Sequence, residues 1–333
     1  MFEESPDIDR NDLRSSLNRV WGISVSSLSY QPVGFGTHHY LARDEDGRSW
    51  FVNVDDLEEK TWIAAETDLA FDGLQRSLRT ALELRRAGLE FVHAPIEGSD
   101  GRVVDRLDDD DYAVSVSAYI DGRSNEFGAY RSDDQRRRVL EMVGRMHATS
   151  ALVPSDLPRR DSLTIPARTA FFDALGELAT PWAGGRYSEP AREVVGEHAD
   201  AIRGSFDRYD ALARKVTAET GDWVVTHGEP HAGNILETPD GSLLLIDWDT
   251  AAIAPRERDL WHIRREDDDD WTAYGRAATK IDTDAIELYR LWWALSEIAG
   301  YTEAFRSAHD DDANMRTAWR GFKEYCSLPD HLA

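Results

Sequence analysis

Cysteine is almost absent. Cys326 is the only one, so no internal disulfide can form and a reducing compartment is the default. No apolar run approaches the roughly 20 residues that a membrane helix needs. The opening segment, MFEESPDIDR, is acidic and lacks the apolar stretch of a secretory signal. These absences point to the cytoplasm and away from a membrane. Lysines are few and base is outnumbered, with 38 Lys and Arg against 63 Asp and Glu, for a formal charge of -25. A field of that sign repels phosphates, which disfavours nucleic acid and anionic lipid as partners. It favours cationic partners where the acid is focused in a cleft; otherwise it serves solubility. Internal repeats and low-complexity linkers are also missing. Bulky core material is plentiful, with eleven each of Trp, Tyr and Phe in a chain of 333 residues that is 41% hydrophobic. That excludes a disordered chain and suits one two-lobed unit or two closely joined domains.

The first third alternates short extended runs with helices. Leu13, Leu17, Val20 and Trp21 recur at helical spacing from about Asp9, and Gly22 stands where a helix-terminating glycine belongs. Ser24–Tyr30, His38–Arg43 and Ser49–Val54 are extended, the last two joined through Asp44-Glu45-Asp46-Gly47. A helix from about Leu69 to Ala87 stops at Gly88. Arg102–Asp105 and Tyr112–Tyr119 complete a predicted antiparallel sheet. Beyond a hinge at Ser117–Gly122 the chain is mainly helical. Ser132-Asp133-Asp134-Gln135 is a capping-box pattern, and a long helix opens near Asp284 and is expected to end at Gly300.

One β segment, Trp223 to Trp248, interrupts the helices and carries the chemistry. Ile235–Glu237 pairs with Leu243–Ile246 across the turn Pro239-Asp240-Gly241. A hairpin of that length returns Asn234 to the side of Asp247 and leaves Glu229 on the same loop. Two acids and an amide oxygen are hard ligands that suit Mg²⁺ shared with phosphate oxygens. The segment Tyr30–Thr37, with Gly34 and Gly36 between two strands, lets backbone amides approach phosphate closely. An ordinary hairpin turn would look the same.

His227-Gly228-Glu229-Pro230-His231-Ala232-Gly233-Asn234 resembles the H-x-D-x-x-x-x-N loop of the kinase and aminoglycoside phosphotransferase superfamily. Ile246-Asp247-Trp248 resembles the metal-binding motif that follows it. Gly144–His147, Pro255–Leu260 and Tyr119–Gly122 resemble further family segments in the right order. The N-terminal helix and the Val33-Gly34-Phe35-Gly36 loop look most like the spectinomycin phosphotransferase-like branch. The resemblance implies an α+β, two-lobed kinase-like fold. Residues 1–118 would form an antiparallel-sheet lobe that binds nucleotide. Residues 119–333 would form a mainly helical lobe with the catalytic loop and acceptor site. It implies Glu229 as the base or orienter of the acceptor hydroxyl, with Asn234 and Asp247 holding Mg²⁺ on ATP or GTP. Gly34, Gly36, Thr37 and Tyr119 would contact the nucleotide, while His227 and Asp259 support the loop. Glu266, Asp267 and Asp270 fall where the family builds its acceptor site, which would suit a cationic acceptor such as an aminoglycoside.

Two positions depart from the family pattern. The base is normally Asp, and here Glu229 reaches further by one methylene, a displacement that can be expensive in rate. The third strand normally offers a lysine to the phosphates. Here the aligned residue is Asn53, no cation follows until Lys60, and Arg76 or Arg79 could supply the charge. A metabolic small-molecule kinase and a ligand-binding pseudokinase therefore remain alternatives to an antibiotic kinase.

Overall fold

The computed structural model describes residues 1–107, 111–128, 130–218, 223–264, 271–275 and 281–326. It comprises two compact units, Met1–Asp161 with Asp222–Asp282, and Ser162–Gly221 with Thr283–Ala333. The architecture is α+β, with an antiparallel sheet in the N-terminal region and helices dominating the C-terminal part.

In the first unit, helix α1 (Arg10–Trp21) begins where the Asp9 side chain accepts from the Asn11 N–H and ends at left-handed Gly22. Strands β1 (Val25–Gln31), β2 (His38–Asp44), β3 (Ser49–Asp56), β4 (Val104–Arg106) and β5 (Tyr112–Ala118) form one antiparallel sheet in the order β1-β2-β3-β5-β4. Side chains alternate across a strand. Tyr40, Ala42, Val52, Val54, Val114 and Val116 therefore share one face, packed against Leu13 and Leu17 of α1. Each such buried side chain contributes about 1.5–3 kcal/mol through the apolar area it removes from water. The opposite face presents His39, Phe51, Asn53, Asp55, Ser115 and Ser117, and it is the polar one. Helix α2 (Thr67–Arg86) follows β3 and buries Leu74, Leu78 and Leu84.

Helix α3 (Asp133–Thr149) starts where Ser132 Oγ accepts from the Gln135 N–H at 3.1 Å. Gly144 lies where α3 meets the Thr272–Tyr274 turn, and a Cβ there would sit 2.4 Å from the Tyr274 carbonyl oxygen. A small sheet joins β6 (Arg159–Arg160), β7 (Val224–Thr226) and β10 (Ala252–Ala254), with β10 central. Between β7 and β10 lies the hairpin of β8 (Ile235–Glu237) and β9 (Leu243–Leu245), in the register Ile235 to Leu245. Helix α6 (Glu257–Leu260) follows β10.

The second unit packs α4 (Arg168–Gly176), α5 (Ser188–Thr217) and α8 (Ala313–Cys326) around α7 (Thr283–Arg306). Helix α7 does not stop at Gly300 but runs on to Arg306. Thr302 and Phe305 are buried in that extension, and Gly300 faces open space. The penalty of about 1 kcal/mol for a glycine inside a helix is outweighed by burying Phe305 against Phe322 and Trp319.

Candidate active site

The loop after β7 is held from behind by one carboxylate. Asp259 is fully buried and accepts from the His227 N–H at 3.0 Å and the Gly228 N–H at 2.6 Å. His147 Nε2 lies 2.8 Å from the same carboxylate, and the Tyr274 hydroxyl lies 2.7 Å from His147 Nδ1. Burial alone would raise the Asp259 pKa. The hydrogen bond and charge of His147, with the Gly228 N–H, outweigh it and hold the pKa below the usual carboxylate value. Gly228 has φ +103, and a Cβ there would lie 2.5 Å from Arg258 Nη1. That arginine is itself fixed by Thr226 Oγ1 and the Thr250 carbonyl. Only glycine fits the position.

His227 crosslinks the loop to the segment after β9. Its Nδ1 accepts from the Glu229 N–H at 3.1 Å, so its Nε2–H donates to the Ile246 carbonyl at 2.9 Å. Burial lowers its pKa, which keeps the ring neutral and this pattern of donors intact. Asn234 Nδ2 donates to the Glu229 carbonyl at 2.9 Å, and the Ile246 N–H donates to the Asn234 carbonyl at 3.0 Å. These bonds bring Glu229, Asn234 and Asp247 onto one edge. His231 Nδ1 caps the turn by accepting from the Gly233 N–H, and its Nε2 lies 3.7 Å from Glu229 Oε2.

Asp247 is the exception in this saturated network. Its backbone is left-handed, φ +67, and its carboxylate has no hydrogen-bond partner among the described residues. The side chain reaches solvent but is walled in by protein. Loss of water and the nearby carboxylates of Asp249 and Glu229 push its pKa well above the usual value, with Lys60 opposing. An exposed carboxylate on left-handed backbone, crowded by the carboxylates of Asp249 and Glu229, is a natural place for a cation to bind. The Asn234 amide oxygen also has no partner among the described residues. Both groups are hard oxygen donors, so the pair fits a divalent cation. Among the described residues no cluster of three His, Cys, Asp or Glu side chains makes a metal cage by itself. Two protein ligands with substrate oxygens would meet that limit.

Gly34 (φ +71) and Gly36 (φ +82) form the turn between β1 and β2. His39 lies beneath it, since a Cβ on Gly34 would come within 3.1 Å of His39 Nε2. Asn53 Oδ1 is 3.0 Å from His39 Nδ1. Thr37 Oγ1 donates to Asp55 Oδ1 at 2.7 Å. Tyr119, just past β5, is exposed, and its N–H donates to the Ser49 carbonyl. Arg76 is spent on the carbonyls of Asp156, Leu157 and Pro158, and Arg79 on Glu97 and the Gly101 carbonyl. Neither arginine supplies the charge missing from β3. Glu266, Asp267 and Asp270 lie outside the described residues. Sequence reasoning missed two features. One is the His147–Tyr274 extension behind Asp259. The other is the pairing of Lys60 with Asp249 at 2.7 Å; the sequence marked Lys60 only as the first cation after Asn53, with nothing to show its partner.

Residues 30–296 match the model of the phosphotransferase enzyme family. Protein StrN of Streptomyces griseus is 29% identical over 285 residues, spanning 80% of this chain and 81% of that protein. Among solved structures, the spectinomycin phosphotransferase APH(9)-Ia complex with ADP and spectinomycin superposes with a TM-score of 0.74 at 17% identity, covering 98% of this chain and 99% of that one. A microcompartment-associated aminopropanol kinase superposes with a TM-score of 0.60 at 15% identity, covering 96% and 94%. With residues 30–296, most of its length, matched by the family model, this chain belongs to the phosphotransferase enzyme family.

Proposed function

We propose that the protein moves the γ-phosphate of ATP or GTP to a hydroxyl of a small cationic molecule of the aminoglycoside class. The observation that carries this reading is the unpaired Asp247 carboxylate beside the free Asn234 oxygen, one loop away from Glu229. Asp247 and Asn234 would hold Mg²⁺, which when bound neutralises phosphate charge. The turn at Gly34, Gly36 and Thr37 would cover the phosphates, and Tyr119 would border the base. Glu229 would orient the acceptor hydroxyl and take its proton. Its backbone is pinned at both N–H and carbonyl, so only the side chain is free to swing the extra methylene. His227 and Asp259 would keep the loop in place and take no proton. Residues 1–118 would serve the nucleotide and residues 119–333 the loop and acceptor, in the cytoplasm where nucleotide is abundant.

A second reading, a metabolic kinase for a small amino alcohol, has its own support. The fold is shared with an aminopropanol kinase and with the choline kinase LicA of Streptococcus pneumoniae, at a TM-score of 0.58. One experiment separates the readings. Nucleotide turnover is measured with Mg²⁺-ATP and Mg²⁺-GTP against spectinomycin, aminoglycosides, choline and aminopropanol. Turnover that requires an aminoglycoside-type acceptor and falls at least about a hundredfold in Glu229→Gln supports the first reading. Turnover with only the amino alcohols supports the second. No turnover with any acceptor, or a Glu229→Gln variant as active as wild type, rejects the assigned role of the loop.

A further inference from the structure

The cation absent from β3 is present elsewhere. Lys60 lies in the connection between β3 and α2, and its side chain is only 1% exposed. Its Nζ sits 2.7 Å from Asp55 Oδ1, 2.7 Å from Asp249 Oδ2 and 3.1 Å from Thr37 Oγ1, and 4.8 Å from the centre of the Trp62 ring. An ammonium group has three N–H donors. Three oxygens take all three, so none is left for a phosphate. Swinging the side chain out would strand two carboxylates in a buried place, which is strongly disfavoured. Lys60 is therefore not a mobile hook.

Its three partners come from three parts of the site. Thr37 closes the glycine turn, Asp55 lies on the polar face of β3, and Asp249 stands just past Asp247. We propose that Lys60 is the positioning residue of the nucleotide site, a buried three-way strut that fixes the glycine turn and β3 to the metal-binding segment. The proposal rests on the phosphotransferase reading above. It explains how β3 can carry Asn53. Phosphates need the turn and the metal donors at a fixed separation, and the strut supplies that without touching them. Its charge also neutralises Asp249, which leaves Asp247 as the carboxylate presented for the cation.

The test is thermal unfolding of the full chain titrated with Mg²⁺-ATP and Mg²⁺-GTP. Lys60→Met alone leaves two buried carboxylates facing each other and could fail to fold. Lys60→Met/Asp55→Asn removes one charge of each sign, so the buried formal charge stays as in wild type. This double variant should keep a cooperative melt without ligand and need at least about tenfold more nucleotide for half its maximal shift, the factor of a lost hydrogen bond to a charged group. Asp249→Asn should show a similar loss. Adding Asp249→Asn to Lys60→Met/Asp55→Asn should add little to the loss of nucleotide affinity, because without the lysine Asp249 no longer ties the metal-binding segment to the turn. In turnover, the nucleotide KM should rise while the acceptor KM holds. A double variant that melts lower yet binds nucleotide like wild type makes Lys60 merely structural and overturns the proposal. Losses from Lys60→Met/Asp55→Asn and from Asp249→Asn that add in full overturn it too, since Lys60 would then act on the nucleotide directly. A wild type unmoved by either nucleotide overturns the phosphotransferase reading itself, and this proposal with it.

Discussion

Replacing Asp259 by asparagine preserves volume but changes one acceptor into a donor and removes the charge. The carboxylate receives the His227 and Gly228 N–H groups and the His147 Nε2. Whichever oxygen becomes NH₂, at least one buried donor loses its acceptor and faces another donor. Hydrogen bonds to charged groups are worth about 1.5–3 kcal/mol each, so the variant should lose about 2–4 kcal/mol. For a domain of this size that lowers Tm by about 5–15 °C. The pH dependence follows from the depressed pKa of Asp259 in the folded state. A carboxylate of that kind stabilises the fold above its unfolded pKa of about 3.9 and loses the contribution as pH falls through its folded value. The gap between wild type and Asp259→Asn should therefore be flat from pH 8 to 5 and close only below about pH 4. Melting curves across that series measure it. A variant within a degree of wild type at pH 7, or a gap that widens on acidification, would refute the strut assigned to Asp259.

Three further outcomes are expected. Asp247→Asn should melt higher than wild type without ligand, because it removes an anion crowded by Asp249 and Glu229. It should also lose the stabilisation of about 2.7 kcal/mol that a ligand at 100 times its Kd confers, as calorimetry with and without Mg²⁺-nucleotide would reveal. Gly228→Ala should cost about 3 kcal/mol or more in urea unfolding, since left-handed backbone adds about 1–2 kcal/mol and the Cβ meets the Arg258 guanidinium at 2.5 Å. His39, whose pKa burial lowers to about 4 against its Asn53 bond, binds protons more readily unfolded than folded. Its stabilising effect is complete above the unfolded pKa of about 6.5 and is lost as pH falls toward 4, by about 1.4 kcal/mol at pH 5.5. His39→Gln should remove that part of the acid sensitivity.

Much of the fold could be read from local patterns, because helices, caps and hairpins are set by neighbours in sequence. Leu13, Leu17 and Val20 with Gly22 marked α1, and Ser132 marked the start of α3. The Pro239-Asp240-Gly241 turn was enough to return Asn234 to Asp247, through the register Ile235 to Leu245. Strand β6, two residues long, was invisible because it exists only through pairing with β10. Helix α7 ran past Gly300 because distant side chains bury Phe305, and no local rule carries that energy.

The sequence by itself determined the order of the motifs, the hairpin that returns Asn234 to Asp247 and the absence of a lysine from β3, since each depends on residues close together in the chain. Tertiary structure alone decided what braces and charges the site. Lys60 finds Asp249 189 positions away, and His147 finds Asp259 across 112. Ion pairs of that separation have no sequence period, and burial determines which charges survive. Only the packed fold could therefore show that the cation absent from β3 had been placed beneath the glycine turn.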